Sequence, residues 1–198
     1  EQWIDQLNSE EPDIILIAGD IIDNHLLPLQ EQHISESFHR LKSTYGIYAA
    51  VVNHEYIAGI DKSIAFLQEA GICVLRDSVA LVDSTFFVVG RDDRSNRNRL
   101  PLETLTHSLD KSKPVILLDH QPVRLEETEA NNITLQISGH THHGQLIPIS
   151  WITRLMFEKP YGYLKKGNSH IYVTSGIGIW GGKFRIGTQS EYVVIKLH

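Results

Sequence analysis

The sequence is poor in cysteine, in long apolar runs and in positive charge, and each shortage excludes a class of protein. Cys73 is the only cysteine, so no disulfide forms within the chain, and we expect its thiol to be buried in the apolar stretch GICVL. No apolar run approaches the roughly 18 residues that a membrane-spanning helix needs. The formal net charge of −6 argues against nucleic acid as the main partner.

The length and composition indicate one globular domain. A chain of 198 residues can bury a sizeable core and is too short for two ordinary domains. Its 41% apolar and 21% charged content is typical of globular proteins. Because no internal repeat, low-complexity segment or linker interrupts the sequence, we predict a single domain over residues 1–198.

Apolar runs of strand length alternate with helical patterns. Ile34, Phe38 and Leu41 fall on one helical face, as do Ile60, Ile64 and Leu67. Strands are predicted at DIILIAGD, GIYAAVV, GICVLRD, VALV, TFFVVG, PVILLDH, NITLQISGH, HIYVTSG and SEYVVIKL, with VALV and TFFVVG as a hairpin. The alternation early in the chain predicts an α/β fold with at least one partly parallel sheet.

Four of the predicted strands end directly in polar residues. These are Asp20, the group starting at Asn53, the pair ending in His120, and the segment of His140 and His142. Ligand sites in open α/β sheets gather at the carboxyl ends of strands, so we expect these side chains to become neighbours. A lone aspartate or histidine at a strand end is an ordinary turn or rim residue, but four such groups together indicate a site.

One carboxylate, one amide and three imidazoles, without a thiolate, suit borderline or hard divalent ions. A carboxylate can bridge two cations, and mixed nitrogen and oxygen ligands are usual in two-metal hydrolytic sites. The spacing of His140 and His142 on an extended segment directs both imidazoles to one side, whereas His143 should face away.

Several segments together resemble a known family. PDIILIAGDIID, NHEY, LLDHQP and SGHTHHGQ resemble the successive signature blocks of the calcineurin-like metallophosphoesterase superfamily. VGRDD and SGIGIWGGKFRIGTQSEYVVIKL are similar to its small bacterial phosphodiesterase branch, many of whose members are membrane-associated. The resemblance covers nearly the whole chain and implies a four-layer α/β/β/α sandwich of two mixed sheets.

The resemblance also assigns roles to the candidate ligands. Asp20 matches the aspartate that bridges two divalent ions, and the donor types suit Mn, Fe, Zn or Mg. His142 matches a ligand of the first ion, and the second ion takes Asn53, His120 and His140.

The implied activity is hydrolysis of a phosphodiester or pyrophosphate bond by a metal-bound hydroxide. His54 matches the histidine that stabilises the transition state or protonates the leaving oxygen, and Asp23 matches the carboxylate that orients it. Asn24 and His25 stand where protein serine/threonine phosphatases carry Arg-Gly, which favours a small-molecule or lipid-like phosphate ester over a phosphoprotein.

Two features depart from the family pattern. The block Asp-x-His, which supplies two more ligands to the first ion, does not precede Asp20. We expect that block, and any membrane anchor, to lie upstream, so that the domain here is N-terminally truncated. Val52 replaces the glycine before the Asn-His pair, which would strain the backbone if that position requires a positive φ.

Two further segments can each be interpreted in two ways. The loop GRDDRSNRNR, with Arg91, reads either as a solvated surface loop or as a contact for an anionic substrate or a lipid headgroup, and Arg185 is another candidate phosphate contact. The apolar segment SWITRLMFEKPYGYL is expected to pack in the core; if exposed, it would suit lipid-like substrates or a membrane surface.

Two alternatives to the dinuclear enzyme stay open. The first is a non-catalytic or impaired binding domain that keeps the fold but lacks a complete first metal site. The second is a mononuclear histidine-rich hydrolase of another fold. The sequence also leaves open whether the protein works in the cytoplasm or at a membrane, and whether it forms oligomers.

Overall fold

The computed structural model describes residues 2–22, 25–182 and 184–197 and contains two β-sheets with helices on their outer faces. The strands are β1 (Ile15–Ile17), β2 (Ile47–Ala50), β3 (Cys73–Leu75), β4 (Ser78–Val82), β5 (Phe86–Gly90), β6 (Val115–Leu118), β7 (Leu135–Ser138), β8 (Gly162–Lys166) and β9 (Ser169–Val173). The helices are α1 (Gln2–Ser9), α2 (Leu27–Glu31), α3 (Ile34–Phe38), α4 (Asn53–Ala58), α5 (Ile60–Glu69), α6 (Leu102–Thr106), α7 (Leu125–Ala130) and α8 (Ile149–Met156).

The smaller sheet has the strand order β1-β2-β3, and its strands are parallel. Helices connect each strand to the next, as parallel pairing requires. Phe66 and Leu67 of α5 pack on Ile47 and Ala49 of β2, together with apolar residues of α2 and α3. The smaller sheet is therefore covered by helices on its outer face.

The larger sheet has the order β4-β5-β6-β7-β9-β8 and is mixed. Its central strands β5, β6, β7 and β9 are parallel, while β4 and β8 pair antiparallel at the two edges. The predicted hairpin of VALV and TFFVVG is confirmed as β4 and β5, with Val79 opposite Val89.

Alternate residues of β6 face different layers of the molecule. Leu117 packs with Leu102 and Leu105 of α6 on the outer face of the larger sheet. Leu118 packs with Ala50 and Leu75 of the smaller sheet, in the core between the two sheets. The order of layers is thus helices, sheet, sheet, helices, and the predicted four-layer α/β/β/α sandwich is confirmed, although the smaller sheet is parallel and not mixed as expected.

Three local predictions are wrong. The segment SEYVVIKL does not form a strand; Glu191 holds it by side-chain bonds to Thr174 and Ser175 and by a backbone bond to Gly176. Cys73 is exposed, because it lies on the edge strand β3.

The third concerns the apolar segment after the histidines, which was expected to pack in the core. Its first part lies in α8, and five large apolar side chains of that helix are exposed: Ile149, Trp151, Ile152, Leu155 and Met156. Only Ser150 of this helix is buried. Within the described parts of the chain, no helix has the length and apolar character needed to cross a membrane.

Candidate metal centre

The predicted polar groups meet at the carboxyl ends of the parallel strands. Asp20 follows β1, and Asn53 begins α4 just after β2. His120 follows β6 in the larger sheet, and His140 follows β7. Because β1 and β2 belong to one sheet and β6 and β7 to the other, the cluster lies between the two sheets.

Asp20 and His120 form the buried centre of the cluster. Oδ2 of Asp20 lies 3.2 Å from Nε2 of His120, and Nδ1 of His120 lies 2.7 Å from the carbonyl oxygen of Ala18. A carbonyl oxygen can only accept, so Nδ1 carries a proton; Nε2 donates to the carboxylate when the ring is charged, and loss of the Nε2 proton leaves the Nδ1–H tautomer. This tautomer is the one that binds a metal through Nε2.

The electrostatics of Asp20 and His120 are coupled. Burial acts to raise the pKa of Asp20, but the hydrogen bond and charge of His120 outweigh it and lower that pKa. Burial acts to lower the pKa of His120, and the contact with Asp20 reverses the shift.

His140 and His142 extend the cluster from the segment after β7. Nδ1 of His140 lies 3.1 Å from Nε2 of His120, and Nε2 of His142 lies 3.8 Å from Oδ2 of Asp20. Burial lowers the pKa of His140 to about 4 and also lowers the pKa of His142. Both rings are therefore neutral near pH 7, which is the form that ligates a metal.

The backbone of the cluster is unusual. Asp20, His140 and His142 have φ values of 55°, 67° and 47°, in the left-handed region that residues other than glycine rarely occupy. Such positions cost about 1–3 kcal/mol each and concentrate at functional sites. The sequence carries no signal for this strain, because these residue types occur in every region of the backbone map.

The donor atoms fit a divalent cation in their chemistry, and neighbouring pairs of them stand at separations near those of metal ligands. Oδ1 of Asp20 and Oδ1 of Asn53 are buried without a hydrogen-bond partner, so each has a lone pair to offer. Tetrahedral ligand atoms about 2.1 Å from a zinc ion stand about 3.4 Å apart, close to the separations found here. The side chains meet in pairs: among the described residues, no three of His, Cys, Asp or Glu surround one point. A cation would draw these pairs together.

His54 is the second residue of α4 and lies near the same cluster. Its charge contributes to the pKa values of Asp20 and His142, after the larger effects of burial and of closer partners. The residue predicted to orient it, Asp23, lies outside the described residues. His143, which was expected to serve neither ion, stacks on Tyr161 with ring centroids 4.0 Å apart.

Val52 does not strain the loop before Asn53. Its φ of −141° is extended, so this position does not require glycine and the expected strain is absent. Its side chain is fully buried against Gly19, where an added Cβ would lie 2.1 Å from a Val52 methyl carbon. Gly19 therefore supplies the space that Val52 fills, next to Asp20.

Sequence reasoning missed Glu55 as a residue that positions the site. It is fully buried, and its carboxylate accepts hydrogen bonds from the backbone N–H groups of Val52, Ile21 and Ile22 at 3.1, 3.1 and 3.3 Å. It thereby joins the loop around Asp20 to the start of α4. The signal was in NHEY: an acidic residue in the first turn of a helix can bond back to the backbone before it.

The two candidate phosphate contacts lie in different places. Arg185 donates to the carbonyl oxygen of His142 at 2.9 Å, and its Nε is buried without a partner beside the cluster. Arg91 instead pairs with Asp119 and Glu127 in a separate cavity.

Comparison with known proteins agrees with the geometry. The family model for calcineurin-like phosphoesterases matches residues 1–144. The chain belongs to the calcineurin-like phosphoesterase family. Calcineurin-like phosphoesterases generally use divalent metals, in keeping with the donor set found here.

Individual relatives are similar over almost the whole chain. An uncharacterized metallophosphoesterase of Helicobacter pylori strain J99 is 32% identical, across 98% of this chain and 53% of its own length. The transmembrane protein with metallophosphoesterase domain of Danio rerio is 30% identical, across 100% of this chain and 48% of its own length. This chain thus spans about half the length of both relatives.

Among solved structures, the phosphopantetheinyl hydrolase of Mycobacterium tuberculosis is similar, with a TM-score of 0.47 and 14% identity across 82% of this chain and 78% of that one.

Proposed function

We propose that this protein hydrolyses phosphodiester or pyrophosphate bonds at a dinuclear metal centre. One observation carries the proposal: Asp20, His120, His140 and His142 converge from both sheets, beside buried and unpartnered oxygen atoms of Asp20 and Asn53. Asp20 would bridge the ions; His142 would bind the first, and Asn53, His120 and His140 the second. Divalent cations in such a site make hydroxide available near neutral pH and neutralise charge on the phosphoryl oxygens.

Protein side chains beside the cluster would bind the phosphate and assist departure of the leaving group. His54 lies near Asp20 and His142, where we propose that it stabilises the transition state or protonates the leaving oxygen, with Asp23 orienting its ring. The guanidinium of Arg185, held by His142 and by the carbonyl oxygens of Ser175 and Gly178, is proposed to contact the phosphate. A fixed guanidinium adds electrostatic stabilisation without reorganisation during the reaction.

The test combines metal analysis with turnover of an aryl phosphodiester. The purified full-length protein is expected to bind two divalent ions and to hydrolyse bis-p-nitrophenyl phosphate only when loaded with Mn, Fe, Zn or Mg. His140→Ala should remove one ion and lower the rate by at least about 100-fold, because the loss of this ligand also removes the positive charge of the ion from the site. His143→Ala, which removes the neighbouring histidine, is the matched control and should leave ion content and rate unchanged.

The alternatives predict other results. A binding domain without a complete first site would hold at most one ion and show no turnover with any of these metals. Unchanged activity of His140→Ala would instead indicate a mononuclear hydrolase.

We also propose that the exposed face of α8 meets a membrane surface or a lipid-like substrate. Trp151, Ile152, Leu155 and Met156 are between 53% and 89% exposed, and such a concentration of apolar side chains marks an interaction site. Arg154 on the same helix can contact anionic headgroups. The name of the Danio rerio relative, a transmembrane protein, supports this proposal.

A further inference from the structure

A second polar cavity lies away from the metal cluster. It has a volume of about 310 Å³, near the lower end of the range for ligand pockets. Five arginines line it: Arg91, Arg94, Arg97, Arg99 and Arg124. Two carboxylates, of Asp119 and Glu127, also face it.

The cavity is on the outer face of the larger sheet. Side chains of a strand alternate between faces, and Leu117 and Leu118 of β6 point to the outer helices and to the inter-sheet core respectively. Asp119 continues on the face of Leu117 and contacts Arg91 and Arg99, whereas His120 continues on the inner face toward Ala18. The cavity and the metal cluster therefore lie on opposite sides of the segment that follows β6.

Positive charge exceeds negative charge in this cavity. Nη1 of Arg91 lies 3.2 Å from Asp119 and 2.9 Å from Glu127, and Arg99 also pairs with Asp119. Five guanidinium groups thus face two carboxylates. In the part of the chain that the structure describes, neither Arg94 nor Arg97 forms an ion pair.

Two of the guanidinium groups also have an N–H donor without a hydrogen-bond acceptor. Arg91 is only 9% exposed, and its Nε is buried without an acceptor, as is Nε of Arg99. Leaving a charged donor unsatisfied costs more than a neutral one, so the arrangement favours an additional acceptor. Guanidinium groups match the paired oxygens of phosphate in two parallel hydrogen bonds.

We propose that this arginine-lined cavity is a second anion site, which binds phosphoryl groups of a small molecule independently of the metal centre. The buried Arg91 and Arg99 form its floor, and the exposed Arg94 and Arg97 form its rim. A ligand with two linked phosphoryl groups can contact the arginines of the floor and those of the rim at the same time, and its negative charge offsets the excess positive charge.

The probe is inorganic pyrophosphate, which is titrated into the whole protein and followed by calorimetry. A chelator is present to remove metal ions, so that binding of the anion to a metal does not contribute to the signal. We expect saturable binding of one anion per chain. Arg94→Gln/Arg97→Gln should weaken it by about tenfold or more, because charge-assisted hydrogen bonds are lost. Both residues are exposed, so the fold should survive. Lys62→Gln/Lys111→Gln removes two exposed cations elsewhere and should leave the affinity unchanged.

Two further experiments test whether the phosphoryl group comes from a lipid or from a free molecule, and whether the anion binds at this cavity or at the metal cluster. If the phosphoryl group belongs to a lipid, vesicles with phosphatidic acid will sediment the protein in an Arg94- and Arg97-dependent manner while free pyrophosphate does not bind. Arg185→Gln, at the metal cluster, should not change pyrophosphate binding. The proposal is overturned if neither probe binds in a manner that depends on Arg94 and Arg97, if both double variants weaken binding equally, or if Arg185→Gln alone abolishes it.

Discussion

At the scale of single residues, buried carboxylates hold the candidate site in place. Burial raises the pKa of Glu55 to about 7, and the charge of Asp20 acts in the same direction. Three backbone N–H groups nevertheless point at this carboxylate, an arrangement that favours its charged form. A cation beside Asp20 would remove the repulsion, so metal binding and the ionisation of Glu55 should support each other.

Glu55→Gln should therefore weaken metal binding. A glutamine keeps one acceptor oxygen but sets an NH₂ donor against a backbone N–H, so the loop of Asp20 and the start of α4 lose their common anchor. Changes to residues that orient ligands lower metal affinity or activity by about 10–100-fold. Calorimetric metal titration measures the effect, with the exposed Glu126→Gln as control; equal affinity in both variants would show that Glu55 does not position the site.

Asp92 makes a different contribution, to stability. Its carboxylate accepts hydrogen bonds from Tyr56, Arg76 and Asn96 at 2.7–2.8 Å. Burial acts to raise the pKa of Asp92, but Arg76 and the other donors lower it below the ordinary value of 3.8. A depressed pKa in the folded state stabilises the fold above the unfolded-state value, and this stability is lost as the pH falls through the folded-state pKa.

Asp92→Asn should thus destabilise the protein in a pH-dependent way. At pH 7 we expect a loss of about 1.5–3 kcal/mol, the usual range for hydrogen bonds to a charged group. The difference from the unmodified protein should shrink as the pH is lowered below about 4, since the aspartate is then protonated as well. Urea unfolding followed from pH 7 to pH 3 checks this, and a pH-independent difference would refute it.

At the scale of secondary-structure elements, α8 shows why an apolar helix need not be a core helix. Its first turn is fixed at Gly144, where an added Cβ would lie 2.3 Å from Cα of Ser150. The helix then runs outward, and Leu155 near its end is 89% exposed. A stripe of apolar residues looks the same in sequence whether it faces a core or a partner.

Leu155→Ser should reduce binding to anionic lipid vesicles without loss of stability. Burying a leucine side chain contributes about 1.5–3 kcal/mol, so the partition coefficient should fall by about tenfold or more. Leu81→Ser replaces a leucine of β4 that is 50% exposed and serves as the matched control. Co-sedimentation measures both, and equal binding of the two variants would exclude α8 as the contact surface.

At the scale of the whole molecule, the two sheets are in close contact at Gly90. This residue ends β5, and an added Cβ would lie 2.2 Å from Cβ of Leu75 and 2.7 Å from its carbonyl oxygen. Leu75 belongs to β3 of the smaller sheet, so glycine is required here by inter-sheet contact. The spacing of the sheets in turn sets the positions of the residues at their carboxyl ends.

Gly90→Ala should destabilise the protein by about 1–3 kcal/mol, the usual cost of overpacking a core. Gly178→Ala is the control, because nothing lies within 4 Å of an added Cβ at that position. Urea unfolding gives both values. A loss for Gly178→Ala as large as for Gly90→Ala would mean that close packing of the sheets is not the cause.

Much of the fold follows from local pattern. The apolar runs predicted β1, β2, β6 and β7, and the clusters that end them predicted which residues would meet, because parallel strands align their carboxyl ends. SEYVVIKL has an equally good strand pattern but does not form a strand, since a strand also needs a partner edge, and Glu191 binds elsewhere. That residues 1–198 form a single domain stays a prediction.

The sequence by itself determined the donor chemistry of the site and the family to which the chain belongs, because residue types and their spacing are local properties. Only the tertiary structure decided that Val52 is accommodated by Gly19, that Glu55 joins two loops, and that α8 is exposed. It also placed Arg185 beside His142, and Arg91 and His120 on opposite sides of the segment that follows β6. These outcomes depend on contacts between residues far apart in the chain, which no local pattern encodes.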